Sequence, residues 1–121
     1  MKKVVLNVCF GGFGLSKKAY EFLGMKWDDF GYAWKYHDAN RDDPKLVECV
    51  ETLGDEANGS CAKLVVREYD DYNYDYVIAE YDGNESLELI PIVHKSKIET
   101  STIDEIEKYL TSLGIRVVGY F

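Results

Sequence analysis

A glycine-rich turn between a predicted strand and a predicted helix is the feature of this sequence best suited to binding an anion. The turn and the residue after it are Gly11, Gly12, Phe13, Gly14, Leu15, Ser16 and Lys17. Glycines let backbone N–H groups turn toward an anion, and a helix N-terminus adds unpaired N–H donors. The spacing matches neither the GxxxxGKS/T nor the GxGxxG phosphate loop. The segment is therefore either a phosphate or carboxylate site or a tight turn whose glycines only permit close packing.

Three other side chains are candidates for contacts with the same ligand: Arg41, Tyr72 and Tyr74. Arg41 precedes a predicted helix start, where a guanidinium group is a natural clamp for an anion. It could equally pair with Asp42 or with another nearby carboxylate. Tyr72 and Tyr74 would share one face of an extended segment and could stack on a base. The alternative for this tyrosine- and aspartate-rich run is a solvated hairpin tip.

The sequence lacks the residue patterns that are typical of catalysis or of metal binding. No nucleophile stands at a recognisable spacing from the His37-Asp38 pair, and no Cys/His set has zinc-ligand spacing. Asp71, Asn73 and Asp75 have calcium-loop spacing, but the position that needs glycine holds tyrosine. The three cysteines form no CxxC motif and are expected to be reduced, small buried hydrophobes. We expect no catalytic residue, no metal and no cofactor.

A chain that mixes strands and helices must position these candidates. Strands are predicted by apolar alternation, and helices by apolar recurrence every three to four residues between N-caps and terminal glycines. The predicted strands are Val4–Phe10, Phe30–Tyr36, Ala62–Tyr69, Tyr74–Tyr81, Leu87–Val93 and Ile115–Phe121. The predicted helices are Lys17–Leu23, a segment from Asp43-Pro44 to the residue before Gly54, and Thr102–Leu113. Asp82-Gly83-Asn84 predicts a hairpin turn.

This order of elements predicts an α+β fold. We expect one domain over residues 1–121, with a mainly antiparallel sheet, about three helices packed on it, and a helix–strand extension over about residues 95–121. Trp27, Phe30 and Trp34 are expected in the core. A chain of 121 residues is long enough to bury such a core.

The acidic composition limits the classes of partner. The chain has 14 basic and 22 acidic side chains and a formal net charge of −8. Direct binding to nucleic-acid phosphates is therefore not expected. No apolar run reaches the length of a membrane span, and the N-terminus lacks the pattern of a signal peptide, so we expect a cytoplasmic protein without a membrane partner.

Five short motifs follow one another in the first 83 residues: Asn7–Ser16, Arg41–Glu48, Leu53-Gly54, Ala57–Gly59 and Tyr81–Gly83. Their order resembles that of a family of small uncharacterised proteins encoded by bacteriophages and prophages. The last third of the chain departs from this family, because a predicted helix and strand follow. The resemblance implies a phage origin, a location in the host bacterial cytoplasm and a role against host defence.

These observations lead to two expectations about function. The first is a protein, expected to be a homo-oligomer, that sequesters a small anionic nucleotide immune signal (a cyclic dinucleotide or a cyclic ADP-ribose type) without catalysis. Backbone N–H groups of Gly11–Ser16 would hold its phosphates, Lys17 or Arg41 would supply charge, and a tyrosine or Phe13 would stack on its base. The alternative is an acidic interaction protein that inhibits a host nucleic-acid-binding or defence protein.

Overall fold

The computed structural model describes residues 1–95 and 103–119. Their order is β1 (Lys2–Asn7), α1 (Lys17–Leu23), α2 (Trp34–His37), α3 (Pro44–Leu53), a 3-10 turn (Gly54–Ala57), β2 (Leu64–Tyr69), β3 (Tyr74–Tyr81), β4 (Asn84–Pro91), β5 (Val93–His94), α4 (Ile103–Ser112) and β6 (Val117–Val118). The predicted α+β class is confirmed. In the described residues the strands form three two-stranded sheets, β1–β2, β3–β4 and β5–β6.

The contacts of the chain divide it into two compact units. The larger unit consists of Met1–Tyr69 and Ile78–Leu87, and the smaller unit of Asp70–Val77 and Glu88–Phe121. The smaller unit therefore contains more than the C-terminal extension predicted from about residue 95.

Helix α3 packs on the β1–β2 sheet and builds the core of the larger unit. Strand β1 pairs antiparallel with β2, from Lys2 opposite Tyr69 to Asn7 opposite Leu64. The apolar side of α3 contributes Leu46, Val47, Cys49 and Val50 to the core, and Leu53 is partly buried against it. The helix begins at the predicted Asp43-Pro44 signal, where the Asp43 side chain accepts a hydrogen bond from the N–H of Lys45.

The cysteines differ from one another in exposure. Cys49 is buried in the core, and burial raises the pKa of its thiol to about 11. Cys9 is half-buried, and Cys61 is exposed in the turn before β2. The prediction of three buried thiols is therefore correct for Cys49 and wrong for Cys61.

The predicted strand over Phe30–Tyr36 is also wrong. Asp29, Gly31 and Ala33 have positive φ angles of 69°, 82° and 50°, which an extended strand does not allow. The chain instead forms a loop over residues 28–33 and then the short helix α2.

In the smaller unit, β5 and β6 pair in parallel, with Val93 opposite Val117. Helix α4 ends close to the predicted C-terminus of the last helix, but Thr102, the first residue of that predicted helix, lies outside the described residues. The predicted final strand is observed only as β6, and its last two residues lie outside the described part of the chain.

Candidate functional site

The glycine-rich turn packs against three other glycines of the larger unit. A Cβ atom on Gly83 would overlap the backbone nitrogen of Gly12, and one on Gly31 would overlap the carbonyl oxygen of Leu15. A Cβ atom on Gly59 would lie 2.7 Å from the carbonyl carbon of Gly14. The close-packing interpretation of these glycines therefore has direct structural support.

Hydrogen bonds within the protein occupy half of the backbone donors in the predicted anion cradle. The N–H groups of Gly11, Leu15 and Ser16 donate to the carbonyl oxygens of Asp82, Gly31 and Ala57 at 3.2, 2.9 and 3.0 Å. The Ser16 hydroxyl donates to the Glu56 carbonyl at 2.5 Å and accepts from the Ala19 N–H, which makes it the N-cap of α1. Among the cradle residues 11–16, the N–H groups of residues 12–14 have no such partner in the described part of the chain.

A recess of about 130 Å³ lies beside these remaining donors. Its walls are the glycine-rich turn, Phe30 and Tyr32, and the Gly59–Cys61 turn. Its volume is below the roughly 300 Å³ at which pockets for small-molecule ligands begin. Phe13 is 5% exposed and has its ring beneath the Arg41 guanidinium, so it does not present a face to a base. Lys17 is exposed at the start of α1.

Arg41 is buried, and every one of its N–H donors is used inside the larger unit. Its Nε donates to the Tyr36 carbonyl. One terminal nitrogen donates to the Val5 carbonyl and to Glu85, and the other to the His37 carbonyl and to Glu85. The guanidinium therefore has no free donor for an external anion. It forms an ion pair with a carboxylate, but the partner is Glu85 and not Asp42 or another carboxylate near it in sequence.

Glu85 and Asn7 complete this buried polar network, and sequence reasoning missed both. Glu85 accepts from both terminal nitrogens of Arg41 at 2.6 and 2.7 Å and from the backbone N–H of Asn7 at 2.7 Å. The Asn7 amide donates to the Cys9 and Gly83 carbonyls and accepts from the Lys63 N–H. A polar residue inside the apolar run of β1 was the available signal, because a buried side-chain amide must find partners.

Tyr72 and Tyr74 belong to the smaller unit, whereas the glycine-rich turn and Arg41 belong to the larger one. Both tyrosines are exposed. The Tyr72 ring stacks on His94, with 4.3 Å between the ring centroids, and His94 Nε2 lies 2.9 Å from the Tyr72 carbonyl oxygen. This stack already covers one face of the Tyr72 ring.

Phe30, Tyr32 and Trp34, which we call the aromatic strip, form a continuous exposed surface on the larger unit. Their side chains are 68%, 47% and 70% exposed. The ring centroids of Phe30 and Tyr32 are 5.3 Å apart, and those of Tyr32 and Trp34 are 5.1 Å apart. Trp34 in turn contacts the His37 ring at 5.5 Å. The predicted burial of Phe30 and Trp34 is wrong, because the loop directs these side chains outward.

Hydrogen bonds beneath the strip hold its loop in place. The Asp28 carboxylate accepts from the N–H groups of Phe30 and Gly31 at 2.9 and 2.6 Å and from the Tyr20 hydroxyl at 2.9 Å. The Tyr20 oxygen also accepts from the buried N–H of Ala33 at 2.6 Å. The bonds from Gly31, Phe30 and Tyr20 lower the pKa of Asp28, so the carboxylate stays ionised and keeps accepting them.

The loop also holds non-glycine residues in strained backbone conformations. Asp29 and Ala33 lie in the left-handed region, which costs roughly 1–3 kcal/mol for each such residue. Because left-handed residues alternate with the three aromatic ones, the aromatic side chains share one exposed side. The alternation of aromatic residues predicts a strand, although Gly31 between two of them is a residue typical of turns.

A larger open groove of about 830 Å³ lies between the start of β1 and helix α3. Several polar groups on its walls already have partners. Lys3 pairs with Glu51 at 3.0 Å, and Asp43 caps α3 while accepting from the Tyr36 hydroxyl at 2.8 Å. Lys3 and Asp43 are therefore already engaged within the protein and are not free to bind a ligand in the groove.

Residues 1–95 and 103–119 contain no cluster of His, Cys, Asp and Glu side chains that could hold a metal ion. No helix among them is both long and apolar enough to span a bilayer. No protein-family model, no curated protein and no solved structure matches the chain.

Proposed function

We propose that this chain is a binding protein without catalytic activity, and that it docks on a partner protein through the aromatic strip. The observation that carries the proposal is the exposure of three neighbouring aromatic side chains, in contact along the strip, on a loop that hydrogen bonds hold in place. Tryptophan, tyrosine and other large rigid side chains dominate the binding energy of protein interfaces. A fixed loop also reduces the entropy that binding would otherwise cost.

The geometry of the strip favours a protein partner over a nucleobase. A base that is sandwiched between two rings needs about 7 Å between their planes, twice the usual contact distance between stacked rings. The centroid distances of 5.3 and 5.1 Å leave no such gap. The net charge of −8 favours encounters with a basic protein and disfavours nucleic acid. The resemblance to phage-encoded proteins makes a host defence protein the partner class that we propose.

Capture experiments with matched variants test the proposal. The wild-type chain, Trp34→Ser and Tyr81→Ser are immobilised and exposed to lysate of the bacterium that carries the gene. Tyr81 is the matched control because it is 79% exposed but lies outside the strip. We expect a protein captured by the wild type and by Tyr81→Ser to bind Trp34→Ser about 30-fold more weakly, the effect of losing an interface hot spot worth about 2 kcal/mol. Equal capture by Trp34→Ser would refute the proposal.

Sequestration of a nucleotide signal is the second candidate function. The N–H groups of residues 12–14 and the recess beside Phe30 and Tyr32 are the observations that favour it. Such a ligand would have to enlarge the recess on binding, and it would be held without Arg41. The test is a thermal-shift screen against cyclic dinucleotides, cyclic ADP-ribose isomers and mononucleotides, because a ligand at ~1,000 times its Kd stabilises the native state by about 4 kcal/mol. Absence of any shift would rule this candidate out for the compounds screened.

A further inference from the structure

We infer that the aromatic strip binds an arginine-bearing segment of its partner, with a guanidinium group stacked on the exposed ring of Trp34. This inference rests on the proposed function and names the chemistry of the partner. Trp34 is 70% exposed, the largest exposed fraction in the strip. Tryptophan is also the aromatic side chain that attracts a cation most strongly.

Carboxylates at both ends of the segment supply the complementary charge. Asp29 is exposed immediately before Phe30, and Asp38 follows His37, whose ring contacts Trp34. The Asp38 side chain is 93% exposed, and one of its carboxylate oxygens lies 3.1 Å from His37 Nδ1. Its other oxygen remains available to a cation that stacks on Trp34, since a carboxylate accepts at both oxygens.

Lys35 lies inside this segment and makes a contact of its own. The Lys35 ammonium lies over the Tyr36 ring, 5.3 Å from its centroid. Lys35 lines the groove beside α3 and contributes to lowering the pKa of Asp43 there. Its ammonium therefore lies beside Tyr36 and the groove.

Arginine fits this surface better than lysine does. A guanidinium is planar and weakly hydrated, so it can stack flat on an aromatic ring and still donate N–H groups sideways to a carboxylate. The same chain shows this geometry in its interior, where the guanidinium carbon of Arg41 lies 3.7 Å from the centroid of the Phe13 ring. An ammonium group offers no flat face for such stacking.

Single-tryptophan fluorescence tests the inference directly. The chain has two tryptophans, so Trp27→Phe leaves Trp34 as the only one. The variant is titrated with short blocked peptides of one sequence that carry arginine, lysine or the uncharged arginine analogue citrulline. We expect the arginine peptide to quench Trp34 and to bind about two- to five-fold more tightly than the lysine peptide, with the citrulline peptide weakest. Asp38→Asn should weaken the arginine peptide more than the citrulline peptide.

A second measurement covers the case in which Trp27→Phe does not fold, because Trp27 packs edge-on against Tyr20 at 4.9 Å. The indole N–H signal of Trp34 is then followed by NMR in the wild-type chain and assigned with Trp34→Phe. Equal shifts from the arginine and citrulline peptides would overturn the inference. So would a response to a single-stranded oligonucleotide but to none of the peptides.

The outcomes separate this inference from the proposed function. If capture depends on Trp34 but arginine gives no advantage over citrulline, the arginine-bearing partner is refuted and protein binding at the strip stands. If Trp34→Ser captures the same proteins as the wild type, the proposed function fails, and a response to the arginine peptide then reports only on the chemistry of the strip.

Discussion

Removing the Glu85 carboxylate should destabilise the larger unit more than any surface substitution. In Glu85→Ala the two terminal nitrogens of Arg41 lose acceptors at 2.6 and 2.7 Å, and the N–H of Asn7 loses one at 2.7 Å. Arg41 is 1% exposed, so its guanidinium has little access to bulk water that could replace these acceptors. Breaking a buried ion pair from one side costs roughly 3–5 kcal/mol. The stranded Asn7 N–H places the expected loss toward the upper end of that range.

Urea denaturation followed by circular dichroism measures this loss. Domains of this size are stable by roughly 5–15 kcal/mol, so Glu85→Ala should lose a large part of its free energy of unfolding. Glu51→Ala is the control, because it breaks the exposed Lys3–Glu51 pair and should leave the midpoint almost unchanged. A loss for Glu85→Ala below about 1 kcal/mol, as for a surface ion pair, would refute the buried charge network.

The double variant Arg41→Met/Glu85→Leu separates two free energies: the cost of leaving one charge buried without its partner, and the contribution of the intact ion pair to stability. Replacing both partners of a buried ion pair by apolar side chains is often close to neutral. We therefore expect the double variant to be more stable than Glu85→Ala, although the carbonyls of Val5, Tyr36 and His37 lose a donor. A double variant as unstable as the sum of its single substitutions would show that the two side chains do not interact.

Two further substitutions have matched comparisons. Gly31→Ala places a Cβ atom against the Leu15 carbonyl and should lower the melting temperature. The comparison is Gly24→Ala, which has a similar positive φ of 68° but open space around it and should lower the melting temperature much less. Equal melting temperatures of the two variants would contradict the packing argument. Tyr36→Phe removes the hydrogen bond that does most to lower the pKa of Asp43 from 3.8, so the variant should be less stable at neutral pH. The difference in free energy of unfolding between the variant and the wild type should close as the pH falls below 3.8 and Asp43 becomes protonated. Denaturation curves at several pH values measure it, and a difference that stays constant with pH would contradict this reasoning.

The sequence predicts elements that local signals control. Helices α1 and α3 start where the sequence predicts, directly after their N-caps Ser16 and Asp43, and Gly24 and Gly54 follow their last residues. Asp82 and Gly83 both have positive φ, as the predicted two-residue hairpin turn requires. Each of these is signalled in the sequence by one or two adjacent residues.

The loop before α2 shows what a local pattern cannot reveal. Aromatic residues at every second position fit a half-buried strand, but the loop is decided by contacts from residues distant in sequence. Tyr20 reaches it from α1, and the Leu15 N–H donates to the Gly31 carbonyl. Tertiary contacts thus override the strand propensity of the aromatic residues.

The candidate site could be predicted only in part for the same reason. The glycine-rich turn does connect a strand to a helix, as predicted, but it packs closely against other glycines of the chain instead of forming an open ligand site. The partner of Arg41 is Glu85, 44 positions away, and no spacing rule connects residues so far apart. Exposure of the aromatic strip follows from the backbone of its loop, which becomes visible only in three dimensions.

The alternation in the aromatic loop separates the positions that set the backbone from the positions that face solvent. Asp29, Gly31 and Ala33 set the backbone through their positive φ angles, whereas the side chains at positions 30, 32 and 34 are exposed. A library randomised at those three exposed positions would leave the determinants of the loop unchanged. The loop is therefore suited to selecting binders of new specificity. Randomising positions 29, 31 and 33 would instead enrich glycine, asparagine and aspartate, the residues that tolerate the left-handed region.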